Sequence, residues 1–107
     1  MAIADITIIP IGTETPSVSS YVADIQKVLE KRASEGNIHY TLTPMSTLIE
    51  GDLTALFQVI QELHEVPFTK GVQRVATNIR IDERRDKENH TMEEKLESVQ
   101  NKMKGNK

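Results

Sequence analysis

Three histidines, a scatter of serines and three polar clusters are the side chains here that can do chemistry. His39, His64 and His90 fall on a strand, near a helix end and in a loop. They lack the short spacing that shared ligation of a metal ion requires. Each reads as a solvated or locally hydrogen-bonded imidazole, and no metal site is expected. No serine sits in a G-x-S-x-G elbow, and neither a Walker loop nor a G-x-G-x-x-G pattern occurs. The chain has no cysteine, which removes disulfides, thiolate nucleophiles and Cys-ligated zinc together. Nothing in these residue types makes a positive case for an enzyme, so no catalytic residue is assigned.

The polar clusters all stand at strand ends. The first, P-I-G-T-E-T-P-S-V-S-S-Y-V over 10–22, joins hydroxyls to the start of a helix, a setting suited to an anion or a polar ring. The second, T-P-M-S-T-L-I-E-G over 43–51, combines the soft apolar Met45, the Thr47 hydroxyl and the Glu50 carboxylate. The third, R-V-A-T-N-I-R-I-D-E-R-R-D-K over 74–87, places Asn78, Arg80 and Asp82 opposite Thr77 and Ile79 by alternation. Taken singly, each also has a purely structural reading. They serve equally as a turn with a helix cap, a hairpin, and a charged edge strand that runs into a solvated turn.

The elements that must position these clusters follow from periodicity. Ile3, Ile6, Ile8, Ile9 and Ile11 make a β-branched first strand with apolar residues on both faces. After a turn, Ser17 is a candidate N-cap, and Val18, Val22, Ile25 and Leu29 form one helical stripe that ends at Gly36. Ile38, Tyr40 and Leu42 alternate along a second strand that Pro44 terminates, and M-S-T-L-I-E-G returns as its hairpin partner. Asp52 is placed to cap a second helix bearing Leu53, Leu56, Ile60 and Leu63, expected to end before Pro67. Val75, Thr77, Ile79 and Ile81 share one face of a fourth strand. The order β-α-β-β-α-β is the ferredoxin-like split βαβ, an α+β sandwich with both helices on one face of a four-stranded antiparallel sheet. A C-terminal helix is appended, with Thr91 and Glu94 as a capping box and Met92, Leu96, Val99 and Met103 as its stripe.

At 107 residues the chain accommodates one domain, here 1–104, with 105–107 fraying. A domain of this size buries roughly two-thirds of its unfolded surface, enough to fold without a metal or staple. The apolar start carries Asp5, lacks a basic leader and breaks at Pro10 and Gly12, so it reads as a strand and not as an export signal. No run approaches the ~20 apolar residues of a membrane span. A net charge of −3 argues against nucleic acid as the main partner. A cytoplasmic protein is expected. Two helices cover one sheet face only, so the isoleucines on the other face call for a second subunit or the appended helix.

In this order and register, P-I-G-T…S-V-S-x-Y-V, Y-T-L-T-P-M-S-T-L-I-E-G and R-V-x-T-x-I-R-I-D-x-R-x-D-K resemble the small thiamine-binding proteins of the MTH1187/YkoF type, the UPF0045 or DUF77 group. The resemblance runs from Ile3 to Val99. Ser46 departs from it, standing where glycine is expected. The resemblance implies a ferredoxin-like fold, a homodimer assembled as a dimer of dimers, and thiamine or its hydroxymethylpyrimidine moiety bound without turnover. It makes Ile9 and Met45 apolar walls, Thr47 and Asn78 hydrogen-bonding partners of the pyrimidine, and Glu50 the carboxylate facing the thiazolium. Thr13, Ser17 and Ser19 become candidates for the polar end of the ligand. An oligomeric regulatory or scaffolding module that binds a protein partner is the alternative, because this fold hosts both roles.

Overall fold

A computed structural model of the chain describes residues 1–12, 19–86 and 92–105, with the backbone alone for Ser19, Glu94, Lys104 and Gly105. The elements are β1 (Ala2–Ile11), α1 (Ser19–Ser34), β2 (Ile38–Leu42), β3 (Thr47–Gly51), α2 (Leu53–Thr69), β4 (Arg74–Glu83) and α3 (Met92–Gly105). The strands form one antiparallel sheet in the order β2-β3-β1-β4. This is the ferredoxin-like arrangement, with α3 added at the C-terminal end.

β1 organises the sheet because it is a central strand that pairs on both edges. It pairs with β3 from Ala2↔Gly51 to Ile6↔Thr47, and with β4 along its whole length, from Ala2↔Glu83 to Ile11↔Arg74. Residues directly opposite share a face. Ala2, Ala4 and Ile6 therefore join Ile49 and Ile38 on the helix side, where Leu29, Leu56, Val59 and Leu63 complete a fully buried core. The small Ala2 and Ala4 let α2 approach closely, and Ile8 packs at the margin of this core. The helices are tied to each other by the Arg32–Glu62 ion pair. Lys70 Nζ also lies 2.9 Å from Asp24 Oδ2 and 5.9 Å from the Tyr21 ring centroid.

Three expectations change. Val22 is in line with Ile25 and Leu29 on α1 but is exposed, so among the described residues the buried stripe begins at Ile25. The Ser17 cap and the Thr91/Glu94 capping box lie outside the described residues and side chains. Asp52 occupies the α2 N-cap with extended backbone (φ −67°, ψ 144°), but no side-chain cap bond forms; its carbonyl accepts from Leu56 N–H at 2.9 Å. α2 also does not stop before Pro67 but runs through it to Thr69. A proline inside a helix loses one hydrogen bond and crowds the preceding turn. Here Pro67 and Val66 are buried, and the Pro67 carbonyl accepts from Lys70 and Val72 N–H at 3.0 and 3.3 Å. That burial and the closed final turn offset the loss.

Gly36 ends α1 with φ +80°, and its N–H donates to Ala33 O at 3.0 Å, the left-handed helix end that only glycine adopts without strain. The β2–β3 turn closes through Thr43: its N–H and its hydroxyl donate to Ser46 O at 2.9 and 2.8 Å. No described non-glycine residue has positive φ, so serine at 46 fits this turn without strain. Gly51 is the tighter constraint, because a Cβ there would stand 2.8 Å from the Asn37 carbonyl oxygen. Gly51→Ala is expected to cost about 1–3 kcal/mol by forcing β2 away from β3. This should be read as a lower urea midpoint at unchanged slope; an unchanged midpoint would show that the strand pair yields freely.

Candidate functional site

The candidate site is the sheet face that α1 and α2 leave open. Register places Ile3, Asp5, Thr7, Ile9 and Ile11 of β1 on it, with Leu48 and Glu50 of β3, His39 and Thr41 of β2, and Ala76, Asn78, Arg80 and Asp82 of β4. The two ends of this face differ. Near Ile3 it is four strands wide and α3 crosses it. Beyond Ile6, β3 has ended, and among the described residues Thr7–Ile11 pair with β4 alone.

At the α3 end lies a cleft of about 780 Å³ whose floor is Ile3 and Leu48 and whose roof is Met92 and Leu96. Its polar rim consists of ion pairs. Arg80 Nη2 is 2.9 Å from Asp5 Oδ2, and Lys95 Nζ is 2.5 Å from Asp82 Oδ2. Just past the end of β4, Arg84 forks onto Asp86 through Nε and Nη2, at 2.8 and 2.5 Å. That hydrogen bond and the adjacent negative charge raise the Arg84 pKa further above its ordinary value.

Glu50 is the buried charged residue of this face, with 8 % of its surface exposed. Its Oε2 accepts the Met92 backbone N–H at 2.8 Å. Met92 opens α3, so the carboxylate satisfies one of the helix's unpaired first-turn donors and faces the positive end of its dipole. The Thr91/Glu94 capping box expected from sequence lies outside the described side chains; Glu50, 42 positions upstream of Met92, adds a contact of its own to the first turn. No local signal reveals such a contact. His64 is another pairing that sequence reasoning did not assign. Its Nδ1 lies 2.7 Å from Thr77 Oγ1, joining α2 to β4.

The residues singled out from sequence divide three ways. Ile9 and Asn78 are diagonal neighbours on the open face, since Asn78 lies opposite Thr7 and Ile9 opposite Ala76. Glu50 shares the face but lies level with Ile3, four residues or roughly 13 Å along β1 from the level of Asn78 and six residues from Ile9. Thr47 points to the helix side, opposite Ile6 and Leu42, and Met45 stands 84 % exposed at the tip of the β2–β3 turn. Thr13, Ser17 and the Ser19 side chain lie outside the described residues. None of the five described ones lines the 780 Å³ cleft, which Glu50 adjoins through its bond to Met92. Among the described residues, no group of three or more His, Cys, Asp or Glu is arranged to hold a metal ion. No described helix is long and apolar enough to cross a membrane.

Residues 4–100 match the family model described as thiamine-binding protein. The chain belongs to this family. It is 71 % identical over 99 residues to the UPF0045 protein YqgV of Bacillus subtilis, covering 92 % of this chain and 94 % of that one. It is 38 % identical over 104 residues to a UPF0045 protein of Methanothermobacter thermautotrophicus, covering 96 % and 100 %. Among solved structures, the protein MJ1052 of Methanocaldococcus jannaschii superimposes with a TM-score of 0.77 at 36 % identity, covering 92 % of this chain and 94 % of that one. A Thermotoga maritima protein named for thiamine biosynthesis or salvage shares the fold, with a TM-score of 0.69 at 18 % identity over 92 % and 97 %.

Removing the Glu50 carboxylate should free the first turn of α3. Glu50→Ala is expected to cost about 1–2 kcal/mol and to speed amide exchange at residues 92–96. Glu50→Gln, which keeps an acceptor oxygen, should do less. Equal exchange in all three proteins would show that Glu50 does not hold the helix.

Proposed function

We propose that this chain binds thiamine or its hydroxymethylpyrimidine moiety without turning it over, as a carrier, buffer or sensor in the cytoplasm. The observation that carries this reading is the match of residues 4–100 to the thiamine-binding family. The chemistry of the open face is compatible with it. Ile9 offers an apolar wall beside Asn78, whose side-chain amide both donates and accepts, as an aminopyrimidine requires. Glu50 supplies a shielded negative charge for the thiazolium. Met45, Thr47, Thr13, Ser17 and Ser19 complete the proposed binding set around the β1–α1 and β2–β3 connections.

Self-association belongs to the same proposal, as a homodimer that pairs into a dimer of dimers. Its support is the apolar surface that the single chain leaves uncovered. Ile9 is exposed on the open face, Phe57, Ile79 and Ile81 flank β4, and Leu96, Val99 and Met103 run along α3. Large apolar side chains left exposed in this number fit contacts with another chain.

Calorimetric titration of the purified chain with thiamine, then with hydroxymethylpyrimidine, tests the ligand. Saturable heat at about one ligand per chain is expected with at least one of the two. Asn78→Ala and Glu50→Gln should each weaken it about tenfold, the loss of one hydrogen bond or one charge contact. Absence of heat with both compounds would move a protein-binding regulatory module to first place. A time course showing conversion of either compound would replace the binding reading with an enzymatic one.

A further inference from the structure

Glu50 is more than nine-tenths buried, yet its carboxylate is only half satisfied. Oε2 accepts the Met92 N–H at 2.8 Å. Among the described residues Oε1 accepts no hydrogen bond, and no Lys, Arg or His forms an ion pair with either oxygen. The register sets His39, Glu50, Ile3 and Asp82 in one row across the open face. His39 is therefore the imidazole opposite Glu50, but it is exposed and does not bond to it. The first turn of α3 lies along this row, with Met92 N–H on Glu50, Lys95 Nζ 2.5 Å from Asp82 Oδ2, and Ile3 in the floor below. A buried carboxylate without a cation is costly. The compensation Glu50 has is the positive end of α3. Further along the helix, Leu96, Val99 and Met103 are 65, 56 and 73 % exposed, so its described polar links to the sheet all lie in that first turn.

We propose that the N-terminus of α3 competes with a cationic ligand for Glu50, so that filling the site loosens the helix that roofs the neighbouring cleft. The inference rests on the thiamine-binding reading above and adds its regulation. The free chain holds α3 over Ile3 and Leu48, and the loaded chain releases its first turn. The physical basis is that a full positive charge and the partial charge of a helix terminus share one carboxylate. A cation at Oε2 displaces the Met92 N–H outright. A cation at Oε1 leaves that bond in place but draws the shared negative charge away from it and repels the helix end. Such coupling is reciprocal: whatever the ligand does to α3, α3 does to the ligand. A chain whose α3 has lost its claim on Glu50 therefore binds the cation more tightly. The coupling also discriminates between ligands, because hydroxymethylpyrimidine carries no thiazolium and leaves the helix end in place.

Amide exchange at residues 92–96 of the wild-type chain, free and saturated with each compound, tests the first direction. Thiamine should speed exchange there about threefold or more, and hydroxymethylpyrimidine should leave it unchanged. Met92→Pro tests the reverse direction. Met92 is the first residue of α3, and proline at that position removes the N–H while remaining compatible with the helix. The competitor is then gone and Glu50 is intact. In calorimetry Met92→Pro should bind thiamine about two- to fivefold more tightly, the range that a helix terminus supplies to a nearby charge. Met92→Ala keeps the N–H and should bind like the wild type. Far-UV circular dichroism checks that both variants fold; if Met92→Pro does not, exchange in the wild type still decides. Thiamine binding that leaves exchange at 92–96 unchanged or slower, or a Met92→Pro affinity no better than that of Met92→Ala, would overturn the competition and leave the binding reading standing. So would faster exchange with hydroxymethylpyrimidine, or heat with that compound alone. Heat with neither compound would overturn the binding reading and this inference together.

Discussion

β1 is apolar on both faces and paired on both edges, and that double burden shapes the rest of the fold. On the helix side Ala2, Ala4 and Ile6 are buried beneath α1 and α2. On the other side Ile3, Ile9 and Ile11 point away from both helices. A strand buried on both faces normally belongs to a sheet with cover on both sides. Among the described residues that cover comes at the Ile3 end, through Met92 and Leu96 of α3. Fully burying a single isoleucine is worth about 1.5–3 kcal/mol, so leaving Ile9 and its neighbours in water is a substantial cost for a domain of this size. The proposed self-association would take the exposed Ile9, Ile79, Ile81 and α3 side chains out of water.

The cover that α3 does give depends on a polar contact rather than an apolar one. Its described links to the sheet sit in its first turns: Met92 N–H on Glu50, and Lys95 on Asp82. The ion pair has both partners about half exposed and is worth ~0–1 kcal/mol. The Glu50 bond is charge-assisted, buried and aligned with the helix dipole, so it is the stronger of the two. Further along, Val99 and Met103 remain exposed. α3 is thus anchored at one end, by the Glu50 bond and the Lys95–Asp82 pair.

Local pattern carried the order of the elements, because each is encoded in consecutive residues. The alternation of Ile38, Tyr40 and Leu42, the two-faced isoleucines of β1 and the positive φ of Gly36 are all properties of short windows. What escaped was non-local or a contest between terms. Pro67 by itself predicts a helix end, but burial of its ring with Val66 wins over the missing hydrogen bond. The His64–Thr77 pair and the Glu50 cap of α3 join segments 13 and 42 residues apart. The site residues show a further limit. Thr47 and Glu50 are three apart on one strand, an odd separation that puts their side chains on opposite faces. Grouping them by proximity in sequence therefore overstated how closely they converge. The distinction between the Ile9–Asn78 end and the Glu50 end came only from the register against β1.

Glu50 also sets how the ligand reading and the position of α3 interact. One of its oxygens is committed to Met92, and the partial positive charge of a helix terminus stabilises it by about 0.3–1 kcal/mol. A full positive charge about 4 Å away is worth roughly 4 kcal/mol at the effective dielectric of a partly shielded site. A thiazolium at the proposed site would therefore compete with the helix terminus for the same carboxylate. Where it takes the other oxygen, two positive groups face one carboxylate and the weaker of them loosens. If the proposed thiazolium contact forms at Glu50, the hold on α3 would be weaker in the liganded chain than in the free one, because the same carboxylate accepts the Met92 N–H.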